Sequence, residues 1–127
     1  MSSPMLNKVL LVEDERDLRS LMALLLEKHD LGVVEADDGP VPVERFQREG
    51  PFSLAIIDIN LPGYSGVEVC RRLLAQDADL PIIICTAGVI HRHEEELRRL
   101  GVHRILSKPF YPEMLLEEVE RALGVGA

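Results

Sequence analysis

Five polar positions stand out because each follows or closes a short apolar run. Glu13 and Asp14 come after residues 8–12, Asp58 after residues 54–57, Thr86 after residues 81–85, and Lys108 after residues 102–106. If those runs are neighbouring strands, all five side chains reach one edge of a sheet. Three carboxylates gathered there repel one another and raise their own pKa values unless a cation neutralises them. Magnesium suits such a place: it takes oxygen ligands, needs only one or two carboxylates, and keeps positions open for water and phosphate oxygens. A lysine then supplies positive charge to an incoming phosphoryl oxygen and a threonine hydroxyl donates to another, while the small Ala87 and Gly88 leave room. Phosphoryl transfer asks mainly for this positioning and charge neutralisation plus a nucleophile, and an ionised aspartate can form an acyl phosphate. Asp58, flanked by Ile57 and Ile59, is the candidate nucleophile.

The elements that must position these residues are legible as an alternation. Residues 8–12, 32–36, 54–57, 81–85 and 102–106 read as strands, the third and fourth apolar almost throughout, as expected of parallel strands buried on both faces. Between them lie segments of helical period. Leu18, Leu21, Met22 and Leu25 mark the first helix, with Leu24 and Leu26 at its flanks, and Val67, Val69, Cys70, Leu73 and Leu74 mark the third. The second helix, residues 40–48, carries two prolines in its first turn, where proline is best tolerated. The fourth, residues 91–100, pairs Glu94 with Arg98 and Glu95 with Arg99 at i, i+4, and the last runs over 112–123 and stops at Gly124. Five strand-then-helix repeats with right-handed crossovers give a three-layer α/β/α sandwich, whose ligands bind outside the carboxyl ends of the strands.

Size and composition agree. A chain of 127 residues, 46% hydrophobic and 28% charged, has the make-up of one globular domain. No apolar run approaches a spanning helix and no signal peptide opens the chain, which points to a cytoplasmic protein without a membrane partner. Cys70 and Cys85 lack metal-ligand spacing and read as buried free thiols. With 22 acidic against 14 basic residues and a formal charge of -8, direct nucleic-acid binding is disfavoured.

Four motifs in order, Val12-Glu13-Asp14-Glu15, Asp58-Ile59-Asn60-Leu61-Pro62-Gly63 with Ser65-Gly66, Thr86-Ala87 and Lys108-Pro109-Phe110, resemble those of the receiver domains of response regulators in two-component signalling. The resemblance spans nearly the whole chain, with residues 7–124 as the domain, 1–6 as an N-terminal tail and 125–127 as a tail or the start of a linker. It implies a flavodoxin-like five-stranded parallel sheet in the order 2-1-3-4-5. It further implies that Asp58 is the phosphoacceptor, that Glu13, Asp14, Asp58 and the backbone carbonyl of Asn60 coordinate Mg2+, and that Thr86, Ala87 and Lys108 bind the phosphoryl group. The Lys108-Pro109 bond is expected to be cis. The implied partners are a histidine kinase or histidine phosphotransfer protein and an output domain or downstream protein, with homodimerisation an option. The chain departs from the family at Ile105, where an aromatic residue is usual; with Thr86 it forms the expected switch, and its response should be muted.

Simpler readings stand beside these. Taken singly, Glu13 or Asp14 is a solvated loop residue or helix cap, Thr86 a cap of the fourth helix, and Lys108 a surface charge; their joint occurrence reverses that. His91 and His93, two apart, do not share a helix face and read as a solvated helix start. The leucine-rich first helix is either deeply buried or a partly exposed partner surface. Pro62-Gly63 reads as a turn. Two functional alternatives remain: a haloacid dehalogenase-like phosphohydrolase, disfavoured because its aspartate nucleophile follows the first strand in a DxD pattern whereas here that strand ends in Glu13-Asp14 and position 60 is Asn, and a degenerate receiver acting only as an interaction module, disfavoured by the intact acidic pair, aspartate, threonine and lysine.

Overall fold

A computed structural model describes residues 7–37, 41–61, 65–88 and 91–124, with the side chains of His91 and Arg92 excepted. The element order is β1 (Lys8–Val12), α1 (Arg16–Glu27), β2 (Gly32–Ala36), α2 (Val41–Glu49), β3 (Leu54–Asp58), α3 (Gly66–Gln76), β4 (Ile82–Thr86), α4 (His91–Leu100), β5 (Arg104–Ser107) and α5 (Pro112–Leu123). The strands form one parallel sheet in the order β2-β1-β3-β4-β5, as the resemblance implied. The expected tails at 1–6 and 125–127 and the Pro62-Gly63 turn lie outside the described residues.

Alternation along the strands builds two cores. Val9, Leu11, Leu54, Ile56, Ile83, Cys85 and Leu106 point to the face covered by Met22, Ala23 and Leu26 of α1 and by Leu115 and Val119 of α5. Leu10, Val12, Ala55, Ile57, Ile82 and Ile84 point to the opposite face, covered by Phe46, Val67, Cys70, Leu73 and Leu97 of α2, α3 and α4. β3 and β4 are buried at every position, which is why they read as continuous apolar runs. Both cysteines are free, and burial pushes each thiol up to about 12.

Several boundaries differ from the sequence expectation for physical reasons. Val102 does not open β5. Gly101 adopts φ 84°, its amide donates to the Arg98 carbonyl at 3.0 Å, and the Val102 amide donates to that of Leu97 at 2.8 Å. That paired pattern is a Schellman stop, with Val102 and Leu97 both buried, so Val102 ends α4. Pro81 has no N–H for the ladder, so β4 starts one residue later; its carbonyl still accepts from Ala55 at 3.0 Å. α2 begins at Val41 with Pro42 in its first turn, and Pro40 lies outside the described residues. In α1 the buried stripe runs through Met22, Ala23 and Leu26, whereas Leu21 and Leu24, expected in or beside it, are half-exposed at 52% and 51%.

α3 starts with a cap and a close approach. Ser65 Oγ accepts from the Glu68 amide at 3.2 Å, and the Gly66 amide donates to the Ile59 carbonyl at 3.0 Å. A Cβ on Gly66 would lie 2.4 Å from the Asp58 carbonyl oxygen and 2.6 Å from Ile59 Cα, backbone that cannot yield cheaply. Gly66→Ala is therefore expected to destabilise by about 3 kcal/mol, the upper end for overpacking. Urea denaturation checks this; a loss below half that value would mean α3 can slide outward without disturbing β3.

Candidate functional site

Each strand delivers its polar residue to the same edge. Asp58 and Thr86 are the last residues of β3 and β4, and Glu13 follows β1 with its amide still bonded to the Ala36 carbonyl of β2 at 3.1 Å. Lys108 lies one residue past β5, and its amide donates to the Thr86 carbonyl at 2.7 Å. The Lys108-Pro109 peptide bond is cis, as expected, and so is Gly50-Pro51, which the sequence reading did not anticipate.

The side chains converge. Lys108 Nζ donates to Glu13 Oε1 at 2.9 Å and to Asp58 Oδ2 at 3.0 Å. The remaining carboxylate oxygens are held locally: Asp58 Oδ1 accepts from the Asn60 amide at 3.0 Å and Glu13 Oε2 from the Glu15 amide at 3.2 Å. Asp14 is exposed and completes an acidic cluster with these two, one oxygen from each lying within 4.8 Å of the others. Glu13, Asp58 and Thr86 are buried, at 1%, 4% and 3% exposure. Among the described residues no buried side-chain nitrogen or oxygen lacks a partner.

Burial raises the Glu13 pKa, the Lys108 hydrogen bond pulls against that rise, and the Asp58 charge adds to it. For Lys108 burial works to lower the pKa, but hydrogen bonds to Glu13 and then Asp58 outweigh it and hold the ammonium above its ordinary value. One lysine cannot neutralise three carboxylates. An all-oxygen set with two buried members and one facing solvent fits a hard divalent cation that retains water.

The two residues of the expected switch lie apart from the lysine bridge. The Thr86 hydroxyl bonds the loop after β4, donating to the Gly88 carbonyl at 3.3 Å and accepting from its amide at 3.2 Å. Ile105 pairs with Ile84 in the sheet and is 37% exposed. Beside the cluster a cleft of about 430 Å³ is lined by Glu15, Leu18, Ala87, Lys108, Pro109 and Phe110, which gives Lys108 an opening to solvent. Two contributors carry roles that the sequence does not assign: Gly66, which appears there only within the Ser65-Gly66 motif, and Arg19. Gly66 packs on the Asp58 backbone, for which Ser65-Gly66-Val67-Glu68 offered the S-x-x-E capping signal. Arg19 donates through Nη1 to the Glu13 carbonyl at 2.8 Å, and nothing in the sequence flags a bond to a backbone oxygen.

A parallel sheet with a lysine-bridged acidic set at its carboxyl edge defines the class, and the sequence model of the response regulator receiver domain matches residues 9–120. The chain belongs to that family, the receiver domains of two-component signalling. The response regulator receiver protein CpdR of Brucella abortus is 37% identical over 120 residues, covering 93% of this chain and 98% of that protein. Sensory transduction protein RegX3 of Mycolicibacterium smegmatis is 32% identical over 96% of this chain, which spans only 53% of that relative. Among solved structures, chemotaxis protein CheY4 of Vibrio cholerae superposes with a TM-score of 0.87 at 29% identity, covering 94% of this chain and 100% of that one. TrrA of Thermotoga maritima, solved in complex with Mg(2+)-BeF, gives 0.80 at 28% identity, with 93% and 100% covered. Nothing in the fold or the relatives supports the phosphohydrolase alternative.

Removing the bridge leaves two buried carboxylates uncompensated. Lys108→Met is expected to cost about 3 kcal/mol at pH 7 without divalent cation, at the low end for a broken buried pair because Lys108 keeps some exposure. The sign of the pH dependence follows from Glu13. A carboxyl whose folded pKa is raised contributes stability below its unfolded pKa and loses it as pH rises through the folded value, and losing Lys108 raises Glu13 further. The deficit of the variant should therefore shrink as pH falls from 7 toward 5. Paired chemical denaturation curves at the two pH values check this, and a deficit that is constant or grows on acidification would contradict it.

Proposed function

We propose that Asp58 accepts a phosphoryl group in a Mg2+-dependent reaction from a phosphohistidine of a histidine kinase or histidine phosphotransfer protein, and that the change switches an output domain or downstream protein. The observation that carries this reading is the Lys108 ammonium bonded at once to Glu13 and Asp58 on the carboxyl edge of the sheet. In the transfer an Asp58 oxygen bonds to phosphorus as the P–N bond to the donor imidazole breaks. The electron pair stays with that ring nitrogen, and the imidazole leaves neutral when its other nitrogen carries the proton.

Glu13, Asp14, Asp58 and the Asn60 carbonyl would hold the magnesium, which supplies charge neutralisation for the carboxylates and the phosphoryl oxygens. The acidic cluster supports this, as does the Mg(2+)-BeF complex of the similar TrrA. Lys108 orients Asp58 before transfer and takes a phosphoryl oxygen after it. Thr86 leaves Gly88 to donate to a second oxygen, and Ala87 keeps space for the third. Residues 7–124 act as the receiver, with 1–6 a tail and 125–127 a tail or linker. Relatives of both lengths are consistent with either, CpdR being nearly coextensive with the chain and RegX3 about twice as long. The exposed Leu21 and Leu24 of α1 offer the donor an apolar docking surface. The domain would act as a phosphoacceptor in cytoplasmic signalling rather than as an enzyme on a separate substrate; no helix among the described residues is long and apolar enough to cross a membrane, and the charge of -8 opposes direct contact with nucleic acid.

Incubation with acetyl phosphate and magnesium should add one phosphoryl mass to the intact protein and none to Asp58→Asn. An unmodified wild type, or equal gain in the variant, sinks the proposal. In the same phosphorylated sample Ile105 should respond weakly, because a branched aliphatic side chain on β5 has no ring to swing inward behind Thr86. Amide NMR shifts should move strongly at Thr86 and Gly88 and little at Ile105; comparable movement at all three would refute the muted switch.

A further inference from the structure

Arg19 of α1 lies outside the acidic set yet is tied to it. Its Nη1 donates to the Glu13 carbonyl at 2.8 Å and its Nε to Glu35 Oε1 of β2 at 3.2 Å, with the side chain 18% exposed. The guanidinium is a rigid fork, so these bonds fix its plane in a way that a lysine could not reproduce. The Glu13 peptide is thereby held at every polar group: its amide by Ala36, its carbonyl by Arg19, and its carboxylate by Lys108 and the Glu15 amide.

The Glu13 carbonyl and the Asp14 amide share one planar peptide unit. Pinning that oxygen sets the plane from which Asp14 Cα departs, and with it the direction in which the most exposed carboxylate of the cluster leaves the backbone. We propose that Arg19 is a positioning residue for the cation site: it aims the Glu13-Asp14 pair from behind, and Glu35 holds Arg19 in place. The inference rests on the magnesium reading above. Partners that orient metal ligands commonly carry 10- to 100-fold of metal affinity, although they never touch the ion.

The test is isothermal titration of the full chain with magnesium chloride alone. Arg19→Ala should weaken binding about 10-fold and Arg19→Lys and Glu35→Gln by less, since the lysine can keep one of the two ties and Glu35→Gln keeps both hydrogen bonds but removes the charge that strengthens one of them. Arg104→Ala serves as the control for a general loss of stability, because Arg104 bonds Glu118 and the Arg121 carbonyl at the far end of β5. It should lower the thermal midpoint without changing magnesium affinity. Should Arg19→Ala fail to fold, the graded weakening in Arg19→Lys and Glu35→Gln still decides the matter. Wild-type affinity in all three variants, or equal weakening in Arg104→Ala, overturns the positioning role. A wild type that binds no magnesium overturns the site reading and this inference together, a result distinct from the first.

Discussion

The constraint on which the rest depends is that two buried carboxylates and a largely buried ammonium must share one pocket. Glu13 and Asp58 gain their contact with Lys108 only because the order β2-β1-β3-β4-β5 makes β1 and β3 neighbours, while Lys108 arrives from beyond β5 across the end of β4. Each ion gives up hydration to be there, and the mutual attraction offsets that cost only when the remaining oxygens also find donors. They do so through the Asn60 and Glu15 amides, both two residues along the chain from their acceptors. The loops after β1 and β3 are therefore shaped by the carboxylates they carry.

Such a set tolerates little slack, and the scaffold removes it from three directions. β3 and β4 are packed on both faces, so Asp58 and Thr86 end strands that cannot translate without disturbing both cores. α3 presses Gly66 against the Asp58 backbone at a distance that only a missing Cβ allows. α1 reaches over with Arg19 to fix the Glu13 peptide. The residue left comparatively free is Asp14, exposed at the rim, where a ligand that keeps part of its hydration would sit.

Much of this was legible in the sequence, and the gaps have a common cause. Strands buried on both faces announce themselves as apolar runs, so β3 and β4 and the polar residues ending them could be read directly, and the order of the motifs supplied the topology. Local patterns failed where one residue type serves two purposes. Val102 is as apolar as a strand residue but closes α4, and in leucine-rich α1 both Leu26 and Leu21 fit a helical spacing from Met22 or Leu18, yet Leu26 is wholly buried and Leu21 is exposed. The sequence is silent on contacts whose acceptor is a backbone oxygen, since every residue carries one. Arg19 looks like any helical arginine, and Gly66, though part of the Ser65-Gly66 motif, carries no sign of the backbone it packs against.

The same contacts bear on how a charge added at Asp58 would be felt. Lys108 now divides its hydrogen bonds between Glu13 and Asp58, and on the proposed reaction it would have to turn toward a phosphoryl oxygen, leaving Glu13 with less compensation. Thr86 would have to exchange two contacts with Gly88 for one with the new group. The Thr86 exchange gives up neutral hydrogen bonds for a charge-assisted one, which is the stronger kind in a largely buried site. The contact that would be given up is the one that holds Gly88, at the start of the β4–α4 connection, to Thr86. Beyond it, Ile105 on β5 can respond only by a shift in packing, because an aliphatic side chain has no polar tip to exchange one partner for another. On the proposed reaction the response would therefore be felt first where Thr86 meets Gly88 rather than along the edge strand.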